Sequence, residues 1–237
     1  TPVPSAAHLR KITMTNYSPK TLADIVIGDE FSNDAVRYIA NGNLPFPSTG
    51  KNGFLIHGPF GTGKSTLAML MPTELEKLHG KPASPFVWSR QVDDDAKVNA
   101  KIVKDLSTAV NLINVTPSKF SHYVIDELDD FSKAHQKKIR AAMNASNDNI
   151  FYFTTNNLSL IDGGIRNRCY EIHMCAAMPQ QWLPLFNRVL ASRSVASPAA
   201  ASLLPIIQSC NGSVRDIVAA ANMIAAKVTN GANTMQI

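Results

Sequence analysis

The sequence of 237 residues contains little cysteine and no long apolar run. Its three cysteines, Cys169, Cys175 and Cys210, form neither a Cys-x-x-Cys pair nor a Cys/His set with zinc spacing, so we expect reduced thiols rather than a zinc site. No apolar stretch approaches the roughly 20 residues of a membrane span, and none follows a basic start as in a secretory signal. These absences predict a soluble protein without a membrane partner, cytoplasmic or, in a eukaryotic or viral setting, nuclear.

The composition is that of an ordinary globular protein, with 45% apolar and 17% charged residues. A chain of this length can bury one α/β core and still carry a small helical domain. The formal net charge of +5 suits an anionic partner such as nucleic acid. Many cytosolic proteins are mildly basic as well, so the charge alone does not identify a partner.

Short apolar segments alternate with helical patterns along the first three quarters of the chain. We predict strands over residues 53–57, 85–89, 122–126, 150–155 and 169–174. Helical patterns begin at Lys64 and cover residues 93–112 and 132–144, whereas residues 41–51 are typical of a loop. This alternation favours βαβ units and a parallel five-stranded sheet flanked by helices.

From Met178 onward the sequence is rich in alanine and in helix-spaced apolar residues. Pro184, Pro198, Pro205 and Asn211-Gly212 interrupt it, which predicts three or four short helices. We therefore predict an α/β domain over residues 1–176 and a small all-helical lid domain over residues 177–237.

The segment from Gly58 to Ser65 fits the phosphate-loop pattern G-x-x-x-x-G-K-[ST] between a predicted strand and a predicted helix. Its glycines let successive backbone N–H groups face a phosphate, and the following helix adds its positive N-terminal end. Lys64 would reach the β- and γ-phosphates, and the Ser65 hydroxyl would bind Mg²⁺. The residues expected to contact the nucleotide are Gly58, Pro59, Gly61, Thr62, Gly63, Lys64, Ser65 and Thr66.

Two acidic residues, Asp126 and Glu127, end the third predicted strand. In P-loop enzymes an aspartate at this place holds the Mg²⁺ hydration shell, and Glu127 would polarise the attacking water. The alternative is a solvated acidic strand end, because Asp129 and Asp130 continue the charge. The phosphate loop upstream favours the first interpretation, and the sequence thus predicts ATP and Mg²⁺ as ligands.

Several further motifs occur in a fixed order. Thr154-Thr-Asn156 ends the fourth strand, Gly164-Ile-Arg166-Asn167-Arg168-Cys169 follows it, and Asn211-Gly212-Ser-Val-Arg215 lies in the predicted lid. The chain also carries Tyr17-Ser-Pro-Lys-Thr-Leu-Ala-Asp-Ile25-Val26 and Gln136-Lys-Lys-Ile-Arg140. Together with the phosphate loop, these motifs resemble AAA+ ATPases, and among them the small subunits of replication factor C-like clamp loaders.

The resemblance runs from about Tyr17 to about Ala226 and implies a role for each motif. Asn156 would be the sensor 1 residue, Arg215 the sensor 2 residue on the γ-phosphate of its own subunit, and Tyr17, Ile25 and Val26 would frame the adenine. Arg168 would act in trans as the arginine finger of a neighbouring site, with Arg166 as the second candidate. Asn167 stands where the family has serine.

Clamp-loader subunits also have a third, helical collar domain, which nothing in this sequence matches. Either the sequence is truncated, or assembly depends on the AAA+ modules and further partners.

Two basic stripes have helical spacing and would lie on helix faces. They are Lys97, Lys101 and Lys104 in one helix, and Lys133, Lys137 and Arg140 in the next. Such stripes can neutralise phosphates of duplex DNA without base contacts. The alternative is solvated faces paired with the neighbouring acids at 93–95 and 129–130.

These observations predict a Mg²⁺-dependent ATP hydrolase that works as a homo- or hetero-oligomer on DNA, in replication, repair or mobile-element maintenance. Its protein partner would be a clamp, a polymerase, a helicase or a transposase. Three alternatives stay open: a viral-type replicative helicase, a protein remodeller, and a regulatory AAA+ subunit. A remodeller would need an aromatic-Gly pore loop after the second strand, where Trp88-Ser-Arg-Gln instead resembles the strand end.

Overall fold

A computed structural model describes residues 19–48, 50–81, 85, 87–93, 95–111, 117–145 and 148–234. The chain divides into two compact units, Ile27–Cys175 and a second unit that joins the residues up to Val26 to Ala176–Ile237. The predicted division at residue 176 therefore assigned the N-terminal segment differently. Asp24 pairs with Arg188 at 3.2 Å and Val26 packs on the helical core, and these contacts tie the segment to the helical unit.

The α/β unit is built on one five-stranded sheet, as the sequence predicted, and its strand order is β2-β3-β4-β1-β5. The strands are β1 (Gly53–His57), β2 (Val87–Gln91), β3 (Ser121–Asp126), β4 (Asn149–Thr155) and β5 (Cys169–His173). All neighbouring strands pair in parallel. The carboxyl ends of β1, β3 and β4 are thereby neighbours at one edge of the sheet, which is where ligands bind in open α/β folds.

Five α-helices of this unit lie within the described residues. They are α1 (Glu30–Ala40), α2 (Lys64–Leu78), α3 (Ala96–Ala109), α4 (Lys133–Ala142) and α5 (Gly163–Asn167). Leu55, Phe151 and Phe153 of the sheet belong to one buried cluster with apolar residues of α3, α4 and α5. The central strand β4 is buried along its whole length, which explains its continuous apolar sequence.

Two helices, α1 and α5, were not predicted, and the ends of other elements moved. Strand β2 runs to Gln91, two residues past the predicted end, because it pairs in register with β3 up to Gln91–Asp126. Helix α3 begins at Ala96, where the Asp95 side chain accepts the Lys97 N–H at 2.7 Å and caps the helix. The predicted end of this helix, Leu112, lies outside the described residues.

The helical unit contains α6 (Pro179–Ser192), α7 (Ala200–Ser209) and α8 (Val214–Thr234) in its described part. Pro184 and Pro205 lie inside α6 and α7, so the expectation that they separate helices was wrong. Each proline removes one backbone hydrogen bond, but burial of Trp182, Phe186 and Ile207 in the core of this unit outweighs that loss. Among the described residues, no helix combines the length and apolarity required to cross a membrane.

A buried polar network joins α2 to β3 and β4. The Glu76 carboxylate accepts the backbone N–H groups of Lys119 at 2.6 Å and Phe120 at 2.9 Å. His122 lies 2.9 Å from Glu76 through Nε2 and 3.0 Å from the Tyr152 hydroxyl through Nδ1. A neutral imidazole with its proton on Nε2 satisfies both neighbours, since it donates to the carboxylate and accepts from the hydroxyl.

We expect this network to make stability depend on pH. Burial lowers the pKa of His122 below its ordinary value of 6.5, and the Glu76 hydrogen bond and charge oppose part of that shift. The unfolded chain therefore takes up a proton first as the pH falls below 6.5, so the free energy of unfolding should decrease from there downward. Denaturant unfolding at several pH values between about 8 and 5 measures this decrease.

The matched variants for that measurement are His122→Asn and His135→Asn. The first removes the buried imidazole and should reduce the pH dependence, of which a part due to His57 remains because burial lowers the pKa of that residue too. The second should keep the pH dependence of the parent protein. Equal slopes in His122→Asn and the parent protein would contradict the assignment.

Candidate nucleotide-binding site

The phosphate loop connects β1 to α2, as predicted, and its glycines have backbone geometries that other residues avoid. A Cβ on Gly58, whose φ is 145°, would lie 2.4 Å from the Met174 carbonyl oxygen. Gly63 caps α2 in the left-handed conformation, with φ 97° and ψ 15°. The loop can therefore turn closely over the sheet edge and present backbone N–H groups at the start of α2, a geometry that suits phosphate.

Lys64 is the one charged residue between Gly58 and Ser65, and it is buried, with 8% of its surface exposed. Its ammonium group donates to the carbonyls of Gly58 at 2.9 Å and Pro59 at 2.7 Å. The Thr62 hydroxyl donates to the same Pro59 carbonyl at 3.0 Å. These contacts hold the cation inside the curve of the loop, where an anion would meet it.

The Ser65 hydroxyl and the Asp126 carboxylate lie in direct contact at the carboxyl edge of the sheet. Ser65 Oγ is 2.8 and 2.9 Å from the two Asp126 carboxylate oxygens. The Thr154 hydroxyl donates to the same carboxylate from β4. Sequence analysis predicted the first pair as the metal site, and the structure adds Thr154 as a residue that orients Asp126.

Glu127 follows Asp126 in the left-handed conformation, with φ 61° and ψ 50°. This conformation is unfavourable for a non-glycine residue and needs support from its surroundings. The Glu127 N–H donates to Thr154 Oγ1 at 3.0 Å, and the Gln91 side chain donates to Glu127 Oε2 at 2.8 Å. Glu127, which follows β3, is thus held through its carboxylate by Gln91 of β2 and through its backbone by Thr154 of β4.

Asn156 lies at the tip of β4, and its backbone is fixed by the turn that follows β3. Asp129 Oδ2 accepts the N–H groups of Asn156 at 3.3 Å and Asn157 at 3.1 Å. Asn156 Oδ1 is buried and has no hydrogen-bond partner among the described residues. A buried oxygen without a partner is costly, and a catalytic role is one of the explanations for such a group.

His57 ends β1 immediately before the loop and stacks on His173 of β5, with ring centroids 4.9 Å apart. Burial, and then the neighbouring His173, lower the pKa of His57 below its ordinary value. The shift favours the neutral form of His57, and Lys64 is the charged residue of the loop.

The two candidate finger arginines lie at the end of α5 and differ in their partners. Arg166 pairs with the Glu171 carboxylate through Nε at 2.8 Å and through a second nitrogen at 3.2 Å. Arg168 donates to the Asn144 amide oxygen at 2.9 Å and to the Gly164 carbonyl at 3.0 Å. Glu171 compensates the charge of Arg166, whereas Arg168 donates to two neutral groups, so its charge is the better suited to act on a phosphate.

The remaining nucleotide candidates belong to the helical unit. Arg215 is exposed in the first turn of α8, Ile25 is buried, and Val26 packs on the core of that unit. Tyr17 lies outside the described residues. Their predicted contacts with adenine and the γ-phosphate stay predictions.

The basic stripes of α3 and α4 differ in the intramolecular contacts that their side chains make. Lys97, Lys101 and Lys104 are exposed on α3, as is Lys137 on α4. Lys133 donates to the Leu160 carbonyl. Arg140 pairs with Asp162, the N-cap of α5, at 3.0 Å, so this arginine fastens α4 to the helix that carries Arg166.

The donors present fit a nucleotide with Mg²⁺. Within the described ranges, no three His, Cys, Asp or Glu side chains are grouped to hold a metal ion by themselves. Mg²⁺ usually keeps several waters and takes one or two protein oxygens plus substrate phosphates. The Ser65 hydroxyl and the Asp126 carboxylate, beside a loop built for phosphate, supply such a pair.

Comparison with known proteins agrees with this geometry. Residues 54–176 match the model of the ATPase family associated with various cellular activities. The chain belongs to the AAA family. The match begins in β1 and ends just after β5, so it covers the phosphate loop, the acidic pair, Asn156 and both candidate finger arginines.

Individual AAA proteins resemble the chain more distantly. Replication factor C small subunit 1 of Pyrobaculum islandicum is 25% identical over 154 residues, which cover 65% of this chain and 44% of that protein. The corresponding subunit of Natronomonas pharaonis is 27% identical over 163 residues, or 68% and 46% of the two chains. The chain thus spans less than half the length of these relatives.

Solved structures confirm the fold. The RuvB Holliday junction branch migration motor of Thermotoga maritima superposes with a TM-score of 0.67 at 16% identity, covering 91% of this chain and 67% of that one. Domain III of the replication initiation protein DnaA from the same organism gives 0.59 at 15% identity, covering 89% and 90%.

Three residues of the site were not assigned a function from the sequence: Thr154, Gln91 and Asp129. Thr154 was noted only as part of the motif ending in Asn156, and Asp129 only as extra acidic charge. Each is a polar residue at or just after the end of a parallel strand, and that position was the available signal. The contacts themselves depend on strand order, which the motif spacing does not contain.

Proposed function

We propose that the chain is a Mg²⁺-dependent ATP hydrolase that works as an oligomer on duplex DNA. The observation that carries the ATPase part is the contact of Ser65 in the phosphate loop with Asp126 at the end of β3, beside Glu127 and Asn156. In this proposal one edge of the sheet holds the four parts of the site: the phosphate loop, the oxygen pair for the metal, the base and the polar sensor.

Each residue has a distinct task in this proposal. The loop N–H groups and Lys64 would bind the β- and γ-phosphates, and Ser65 and Asp126 would hold Mg²⁺. The bound metal ion would neutralise charge on the phosphate oxygens. Glu127 would accept the proton of the attacking water, and Asn156 would orient that water through its side-chain amide.

The oligomer is proposed because the favoured finger arginine is engaged away from the phosphate loop of its own chain. The guanidinium of Arg168 contacts Asn144 and Gly164, which belong neither to the loop nor to the ends of β3 and β4. An arginine supplied by a neighbouring subunit typically adds about 10³–10⁵-fold in rate. We infer that Arg168 serves the site of the next subunit.

The DNA part is supported by the names of the similar proteins and by the exposed lysines of α3. Replication factor C, a replication initiation protein and a Holliday junction branch migration motor are all DNA-associated by name. Helices α3 and α4 pack together, so Lys97, Lys101, Lys104 and Lys137 lie on neighbouring helices. Such a surface can contact phosphates without reading base sequence.

The alternatives have less support. Trp88 lies within β2, so it is not part of a pore loop as a protein remodeller would require. The intact loop and acidic pair weigh against a regulatory subunit without turnover.

We expect ATP turnover per subunit to rise with protein concentration and with added duplex DNA. Subunit contact would complete the site through Arg168, and DNA would favour assembly by bridging subunits. A steady-state phosphate-release assay over a concentration series, with and without duplex DNA at low salt, measures both effects.

The matched comparison uses Lys101→Ala/Lys104→Ala against Lys81→Ala, an exposed lysine just beyond α2. The double variant should lose most of the DNA stimulation and lower the salt dependence of DNA binding, and the control should keep both. Turnover that is independent of concentration would argue against the oligomer. Stimulation that persists in the double variant would argue against the α3 surface.

A further inference from the structure

The turn after β3 and the end of β4 are joined by two sets of hydrogen bonds. In each set, a side chain of one segment accepts backbone N–H groups of the other. From β4, the Thr154 hydroxyl accepts the Glu127 N–H at 3.0 Å. From the turn, one Asp129 oxygen accepts the N–H groups of Asn156 at 3.3 Å and Asn157 at 3.1 Å. Each segment therefore supplies the side chain that fixes the backbone of the other.

The hydrogen bonds to Asp129 restrain the backbone at the end of β4, which a solvated carboxylate would not do. Hydrogen bonds from backbone N–H groups to a carboxylate are charge-assisted and about twice as strong as neutral ones. Asp129 and Asn156 are both half-buried, and each has one buried side-chain oxygen with no hydrogen-bond partner in the described part of the chain. The backbone of Asn156 is thus set by Asp129, while its side-chain oxygen is left to act elsewhere.

We infer that Asp129 is a positioning residue for ATP hydrolysis and acts through Asn156. By fixing the backbone at the tip of β4, its carboxylate aims the Asn156 amide at the attacking water. This inference rests on the proposed function, because it assigns Asn156 a part in turnover. Glu127 starts the same turn, so the base and the sensor keep a constant spacing.

The test compares three substitutions at one position by kcat, ATP affinity and melting temperature. Asp129→Ala and Asp129→Ser remove acceptors that can reach both N–H groups, and each should lower kcat about 10- to 100-fold, the scale expected for misplacement of a reacting group by about 1 Å. ATP affinity should stay within about threefold. Asp129→Asn should restore at least half of the parent kcat, because its amide oxygen can accept the same two N–H groups.

Asp130→Ala is the matched control, since this carboxylate is exposed one residue further along the same turn. It should leave kcat within about twofold of the parent. A purely structural function of Asp129 would instead lower ATP affinity and melting temperature together with kcat, and Asp129→Asn would not rescue the rate. That outcome would overturn the inference.

A double-mutant comparison shows whether Asp129 acts through Asn156. Once Asn156→Ala has removed the amide, Asp129→Ala should add less than about twofold to the loss in kcat, because residues acting as a unit are not additive. If the loss in kcat of the double variant equalled the product of the two single losses, Asp129 would not act through Asn156. The result also separates the two proposals: a normal kcat in Asn156→Ala would remove the proposed task of Asn156, whereas a slow Asn156→Ala with a normal Asp129→Ala would overturn only this inference.

Discussion

Replacing Glu127 by glutamine should lower kcat for ATP hydrolysis by at least about 100-fold while ATP still binds. An amide cannot accept the proton of the attacking water, and the loss of a general base typically costs about 10²–10⁴-fold. The substitution keeps the size of the side chain. The backbone contact of residue 127 with Thr154 is also preserved, because that bond uses the main-chain N–H. Single-turnover hydrolysis of labelled ATP, paired with equilibrium binding, separates the two effects.

The matched control is Glu74→Gln on α2, the same chemical change at a glutamate that pairs with Lys77 at 2.9 Å. This variant should retain the parent rate. If Glu127→Gln also turned over ATP within about threefold of the parent, another group would have to be the base.

Replacing Arg168 by alanine should lower kcat about 1,000-fold or more without weakening ATP binding, if it serves as the finger of a neighbouring site. The trans arrangement gives a direct test by mixing subunits. Arg168→Ala subunits keep their own base, and Glu127→Gln subunits keep their finger, so each variant is inactive alone. Mixed oligomers should regain a substantial fraction of the activity, because one class of site then has both groups.

Arg166→Ala is the comparison variant. Its guanidinium is already neutralised by two contacts with Glu171, so its loss should reduce kcat by no more than about tenfold. A large loss of kcat in Arg166→Ala, with a normal kcat in Arg168→Ala, would make Arg166 the finger in place of Arg168. Two inactive variants that fail to restore activity when mixed would contradict action in trans.

Much of the site could be predicted because its key groups are adjacent in sequence. The phosphate loop fits in eight residues between one strand and one helix, and its glycine conformations are local properties of that turn. Asp126 and Glu127 likewise follow a single apolar strand. The sequence also predicted all five strands, since each is short and bounded by a change of character; β1, β3 and β4 are mostly apolar, whereas β2 and β5 also contain polar residues.

Other features required the assembled molecule. Helix α5 has only five residues, which is too short for a periodic signal in its own sequence. It is held instead by its Asp162 cap and by the pairing of Asp162 with Arg140 of α4. Grouping of the segment up to Val26 with the helical unit depends on contacts with residues far along the chain. Pro184 and Pro205, which suggest helix ends locally, remain inside helices because apolar burial outweighs the lost backbone hydrogen bonds.

The fold class, the phosphate-loop pattern, the acidic pair and the position of Asn156 after β4 could all be read from the sequence, because each is specified by residues close together along one strand, turn or helix; the functions of these residues stay predictions. How these groups are held depends on contacts between strands that are distant in sequence. Thr154 beside Asp126, Gln91 beside Glu127 and Asp129 beside Asn156 meet only because β2, β3 and β4 are neighbours in the sheet. Strand order is set by long-range packing, and no local pattern in the chain contains it.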